Sequence, residues 1–510
     1  MTTKTAEIEK MDWTPGVFFK ERELGVRIIA GTGVGKSMFM GQFMAVADAK
    51  ANLPVVIFDT GSTIDNFLWT VFFNDKKFTV EESKAMIERI RYVNMAGMVS
   101  PEDDDECYYF AWPIYFRYRK ESPTIIADRL VSAFARLHVE LEHAQIQGMP
   151  RFKHVAEEVG EELIRRGLQL DAAEALLADK EIIDKENTET FRLRVRSLLR
   201  DPLQRAIYTT TPPGIDWEEV LQKKLIVLID FRDLKYQYGD MRRFAVIWTL
   251  WSLFNYLDVR GVNYTDPVSV IIDEFKALTT MGSFERQEVF AEDLDIILNA
   301  IMRQHNIWLT LAHQQVTQFS PHVRSLLMKM GTQIVGRPET KEDAIALAQE
   351  LYRIDPVLVK RMKTRQEPDM VPDWDYDRET GEATQSTDRF ILHYLHTYTQ
   401  VEDPEYYSIA EQHHMNAQKL LDLPPFHYFR RDPRDETLYW MRDLPHGFFA
   451  GDTTEIRWSL MKKHGRRYEP GASYAPSYTP PAAGSQADGK EPSKQQRVRK
   501  PSTSQEGTLE

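Results

Sequence analysis

Short runs of β-branched and other apolar residues alternate along this chain with longer stretches whose apolar residues recur every three or four positions. The short runs predict strands at Val26–Ala30, Val55–Asp59, Leu225–Asp230, Val268–Asp273, Ile307–Ala312 and Gln333–Gly336. Their apolar residues stand side by side without clean alternation, the pattern of strands covered on both faces. Such strands, separated by helical stretches, predict an α/β fold with a parallel central sheet and crossover helices.

The stretch between the second and third strands reads as helical. Ser122 supplies an N-cap and Pro123 the first helical position, and Ile126, Leu130, Phe134, Leu137 and Leu141 follow at helical spacing. A second helix carries Val155, Val159 and Leu163 and is expected to stop at Gly167. Residues 121–213 are therefore expected to form an all-helical subdomain inserted between two parts of the core, 1–120 and 214–400; plain crossover helices are the alternative. A C-terminal extension is expected over 401–464. Over 465–510 Pro, Gly, Ser, Ala and charge replace large apolar residues, which predicts a disordered tail.

Composition narrows the class. Of 510 residues 42% are hydrophobic and 28% charged, ordinary for a globular protein. The apolar run Phe244–Leu257, with Trp248 and Trp251, falls short of the roughly 20 residues a spanning helix needs, and Asn255 interrupts it, so a buried core helix is expected. A single cysteine, Cys107, and no leader-like pattern in Met1–Lys20 predict a cytoplasmic protein. The formal charge of −13 argues against a tight, passive DNA binder but not against a motor that confines its basic residues to a pore. Arg192, Arg196 and Arg200 share a helical face, either a track for phosphates or a solvated face partnered by Glu189. His393, His396, His413 and His414 lack cysteine or acidic companions, so no metal centre is expected there.

The chemistry lies at two strand ends. Val26-Arg-Ile-Ile-Ala30-Gly-Thr-Gly-Val-Gly35-Lys36-Ser37 is strand, glycine-rich loop and helix. Glycines let backbone N–H groups curl around phosphate oxygens, with the helix N-terminus aimed at them. The pattern predicts that Gly31, Thr32, Gly33, Val34, Gly35, Lys36 and Ser37 bind ATP. Lys36 would reach the β- and γ-phosphates and Ser37 would ligate Mg²⁺. The second motif, Val268-Ser-Val-Ile-Ile-Asp273-Glu274-Phe275, is an apolar strand ending in two carboxylates. Asp273 would hold Mg²⁺, and Glu274 would polarise the attacking water, which a hydrolase needs. A third strand ends at Gln314, which either senses the γ-phosphate or caps the next turn.

The order of glycine-rich loop, helical insertion, Ile271-Ile-Asp273-Glu274-Phe275, an Arg-bearing helix, an apolar strand and Gln314 resembles the HerA–FtsK superfamily of P-loop ATPases. It looks most similar to the ATPases of conjugation and type IV secretion. Arg303 precedes Gln314 by eleven positions, as an arginine acting in trans does in coupling proteins, and Gln318 falls where that motif has a second Gln; Arg337 is the alternative finger. Asp59 is followed by Thr-Gly-Ser, a departure from the Lys-Gly-Glu common in those proteins. The resemblance, over about residues 16–351, implies a RecA-like fold and a homohexameric ring. It also implies ATP hydrolysis driving DNA translocation and docking to a membrane-bound secretion apparatus. An ATPase energising secretion or assembly with no DNA in its pore, and a nucleotide-switched binding module, are the alternatives.

Overall fold

The computed structural model describes residues 22–73, 78–114, 149–178, most of 191–234, parts of 245–257, 267–275, 302–368, 370–392, 398–431, 438–441 and 451–470. The predicted helix after Ser122 and nearly all of the helix expected before Arg303 lie outside these residues, as do His393, His396 and 471–510.

Sixteen strands are present among the described residues. They are β1 (Val26–Ile29), β2 (Val55–Asp59), β3 (Ile90–Asn94), β4 (Met98–Val99), β5 (Cys107–Tyr109), β6 (Ile226–Asp230), β7 (Val268–Ile272) and β8 (Ile307–His313). The others are β9 (Thr332–Val335), β10 (Val359–Pro368), β11 (Met370–Tyr376), β12 (Ala383–Leu392), β13 (Tyr398–Tyr406), β14 (Tyr428–Arg431), β15 (Leu438–Met441) and β16 (Arg466–Arg467). Nine form one sheet in the order β15-β14-β9-β1-β8-β7-β2-β6-β3. The seven strands from β9 to β3 run parallel, whereas β14 and β15 add an antiparallel edge. All six predicted strands are found, each within a residue or two of its expected ends.

Every residue of β1, β2, β6, β7, β8 and β9 is buried, as the lack of alternation required. The Met149–Arg166 helix ends at Gly167, whose φ of 67° is the left-handed stop that glycine takes at least cost. Its Val155, Val159 and Leu163 belong to the same contiguous hydrophobic cluster as the central strands, and the helix contacts Ala173–Ala178. The described part of Phe244–Leu257 is helical, with Trp248, Leu253, Phe254 and Leu257 buried. Among the described residues no helix is long and apolar enough to cross a membrane.

Two features depart from the expected layout. β16 lies inside the stretch expected to be a disordered tail, and it pairs with β5 through Arg466 and Arg467. The Tyr468 amide donates to the Cys107 carbonyl (2.8 Å), and Tyr468 meets Tyr109 edge to face. These bonds hold Arg466–Tyr468 against β5, inside the stretch expected to be disordered from 465. Second, β10 pairs with β13 and β11 with β12 as two antiparallel two-stranded sheets, with Val359 opposite Tyr406 in the first and Tyr376 opposite Ala383 in the second. In sequence these strands lie between the helices Lys341–Leu351 and Ile409–Leu421, which pack on each other.

Candidate active site

Parallel strands carry their loops to one edge of the sheet; the glycine-rich loop, Asp273-Glu274 and Gln314 follow the C-terminal ends of β1, β7 and β8, whereas Arg303 precedes β8 on its N-terminal side. After β1, Gly33 and Gly35 take φ of 75° and 94°, which lets the loop turn its amides inward. The helix that follows begins at Lys36, winds as a π-helix over Phe39–Ala45 and ends at Lys50. Gly41 in that π segment is required: a Cβ there would lie 2.5 Å from the Thr63 carbonyl oxygen of the helix Thr63–Phe73.

The Asp273 carboxylate lies under the loop, 1% exposed. Its Oδ2 accepts from Ser37 Oγ and Thr63 Oγ1, both at 2.8 Å, and its Oδ1 from the Glu274 amide at 2.8 Å. Glu274 holds a φ of 51°, costly for a residue with a side chain, and its neighbour's amide (Phe275) donates to the Ala312 carbonyl at 2.7 Å. Gln314 Nε2 donates to Glu274 Oε1 at 2.7 Å, and Thr32 Oγ1 donates to Gln314 Oε1 at 3.4 Å. A cavity of about 410 Å³ is lined by Gly31, Gly35, Lys36, Ser37, Glu274 and Gln314 among others. Of the predicted site residues, the structure thus brings the loop, Asp273, Glu274 and Gln314 together. The Arg303 side chain lies outside the described residues. Arg337 is exposed, and its carbonyl accepts from the Gly31 amide (2.9 Å), placing its backbone against the loop.

No protein-family model matches the chain, and no curated protein matches it. Among solved structures, the plasmid coupling protein TrwB in complex with ADP and Mg²⁺ aligns at a TM-score of 0.50 and 11% identity, over 85% of this chain and 88% of that one. The chain has the RecA-like P-loop fold of that coupling protein. Unbound TrwB (TM-score 0.49, 11% identity, 83% of this chain and 85% of that one) is a weaker likeness. So is VirB4 of Thermoanaerobacter pseudethanolicus (0.43, 16%, 64% and 80%).

Three further carboxylates surround the site, two of them buried. Asp59 accepts from the Gly61 amide (2.7 Å) and the Ile64 amide (2.8 Å), capping the helix that carries Thr63. Burial, with Asp273 and Asp230 nearby, pushes its carboxyl up to about 7. Burial acts on Asp230 in the same sense, but hydrogen bonds from Arg232 hold that carboxyl below its usual range. Arg232 also bonds Asp65, whose Oδ1 accepts from Thr453 Oγ1 at 2.5 Å. His313, at the end of β8, is fully buried and accepts from Arg27 Nε at 2.9 Å through Nε2. Burial, followed by Arg27 and Lys36, keeps it neutral. Thr63 gave no signal in sequence. Asp59 stood out only as a strand-end acid.

The residues suit Mg²⁺ and a triphosphate. Ser37 and Asp273 present hard oxygens to one point, the donor type Mg²⁺ takes, and would hold the ion there. Bound Mg²⁺ would neutralise charge on the phosphates. Lys36, 6% exposed, is the cation in the loop itself.

Proposed function

We propose that the chain is a HerA–FtsK-type ATPase whose hydrolysis of ATP drives DNA through a homohexameric ring. Glu274 carries the hydrolytic part of this reading. Among the described residues its Oε2 has no hydrogen-bond partner, whereas both oxygens of Asp273 and of Asp59 are already engaged. A water beside Oε2 gives its proton to that oxygen as its own oxygen attacks the γ-phosphorus. The bond from phosphorus to the bridging oxygen breaks, and ADP and phosphate form. Gln314 fixes the carboxylate for this role, and Lys36 stabilises the phosphate charge.

The DNA cargo, the ring, a trans role for Arg303 or Arg337 and docking to a membrane-bound secretion apparatus rest on the motif resemblance. The expected result is Mg²⁺-dependent ATP turnover that rises with DNA and is lost in Lys36→Ala. Turnover indifferent to both single- and double-stranded DNA would end the translocase reading. It would leave the second one, an ATPase energising secretion or assembly without DNA in its pore. The pairing of Arg196 with Glu174 (2.6 Å) on the expected basic face favours that alternative.

A further inference from the structure

The flank of the loop away from Glu274 is closed by a segment from the far end of the chain. β9 and β14 lie on one side of β1, while β8 and β7, which carry Gln314 and Glu274, lie on the other. Just before β14, the Phe426 amide donates to the Val34 carbonyl at 3.2 Å, and Tyr428 Oη donates to the same oxygen at 3.0 Å. The Phe426 ring lies against Gly35, so closely that a Cβ there would fall 2.3 Å from its Cδ1. The ring is half-buried and lines the same cavity as Lys36, Ser37 and Met38. Phe426 holds a φ of 64°, a costly conformation for a bulky residue, and follows Pro424 and Pro425, which stiffen its approach.

We propose that Phe426 is the platform for the nucleobase of the bound nucleotide. A triphosphate lying along the loop with its terminal phosphoryl group toward Glu274 directs its other end to the opposite flank of β1, where the ring stands. An aromatic face stacks on any base, a contact worth about 1–3 kcal/mol, and it reads no hydrogen-bonding edge. The platform therefore supplies affinity without choosing between purines. Its strained backbone and its amide's bond to Val34, beside that of Tyr428 Oη, preset the ring, so little ordering cost is left for binding.

This inference rests on the nucleotide-site reading, and inorganic tripolyphosphate separates the two. Calorimetric titration with Mg²⁺ present compares ATP, GTP and tripolyphosphate on the full chain and on Phe426→Ala, Phe426→Leu and Phe426→Tyr. In Phe426→Ala and Phe426→Leu, ATP affinity is expected to fall about 5- to 150-fold while tripolyphosphate affinity stays unchanged. Phe426→Tyr keeps the ring and the wild-type affinity, and ATP and GTP bind the wild type within a few-fold of each other. Equal losses for ATP and tripolyphosphate would mean that the ring only braces the loop, and the proposal fails. Strong discrimination between ATP and GTP would also overturn it. A wild-type protein that binds neither ATP nor tripolyphosphate would instead refute the nucleotide site itself.

Discussion

Replacing Glu274 by Gln tests the proton-accepting role most directly. The amide keeps an Oε1 acceptor for Gln314 Nε2, now at 2.7 Å from the carboxylate, and leaves the Ser37–Asp273–Thr63 cluster untouched. Nucleotide affinity should therefore stay within about threefold, a change under 1 kcal/mol. A general base contributes about 10²- to 10⁴-fold, and each factor of ten is about 1.4 kcal/mol of barrier. The step should thus slow by about 3–5 kcal/mol. Among the described residues no neighbour stands ready to substitute. Asp273 accepts through both oxygens, Asp59 is committed to two backbone amides, and Asp65 is held by Arg232 and Thr453. The assay is single-turnover phosphate release with enzyme in excess, alongside equilibrium nucleotide binding. A variant that binds ATP normally and turns it over within tenfold of wild type would show that another group takes the proton.

Three other outcomes follow from the geometry. Gly41→Ala should cost about 1–3 kcal/mol in urea unfolding, because its Cβ would meet the Thr63 carbonyl oxygen at 2.5 Å and Asn66 Cβ at 2.8 Å; a variant as stable as wild type, helped by alanine's helix propensity, would contradict that contact. Asp59, raised to about 7 in the folded chain, stabilises fully below its unfolded value near 4 and loses that contribution as pH rises toward 7, by up to about 1.4 kcal/mol per unit. Asp59→Asn should accordingly flatten the decline in urea midpoint between pH 5 and 7 without Mg²⁺ or nucleotide, and parallel declines would mean that Asp59 is charged throughout. Excising Lys360–Glu405 and bridging the paired Val359 and Tyr406 by Asn-Gly should change stability by no more than about 1 kcal/mol, because β10 is exposed from Val359 to Arg365; a tenfold change in ATP affinity would refute that independence.

What could be read from sequence was local. The six central strands were visible because strands buried on both faces must be apolar throughout, and the loop was visible because only closely spaced glycines let backbone amides face inward. Asp273-Glu274 was legible because a strand that ends in two carboxylates breaks its own apolar pattern. Tertiary structure alone decided which groups meet. Thr63 reaches Asp273 because Gly41 lets two helices touch. Phe426 reaches Gly35 because β14 adds itself to the sheet edge, hundreds of positions from the loop it braces. β3 and β14 escaped the reading, and it is pairing with β6 and β9 that gives them their places in the sheet. A single sequence records what each residue prefers along the chain. Contacts between distant strand ends depend on sheet order, and sheet order is settled only when the whole core packs.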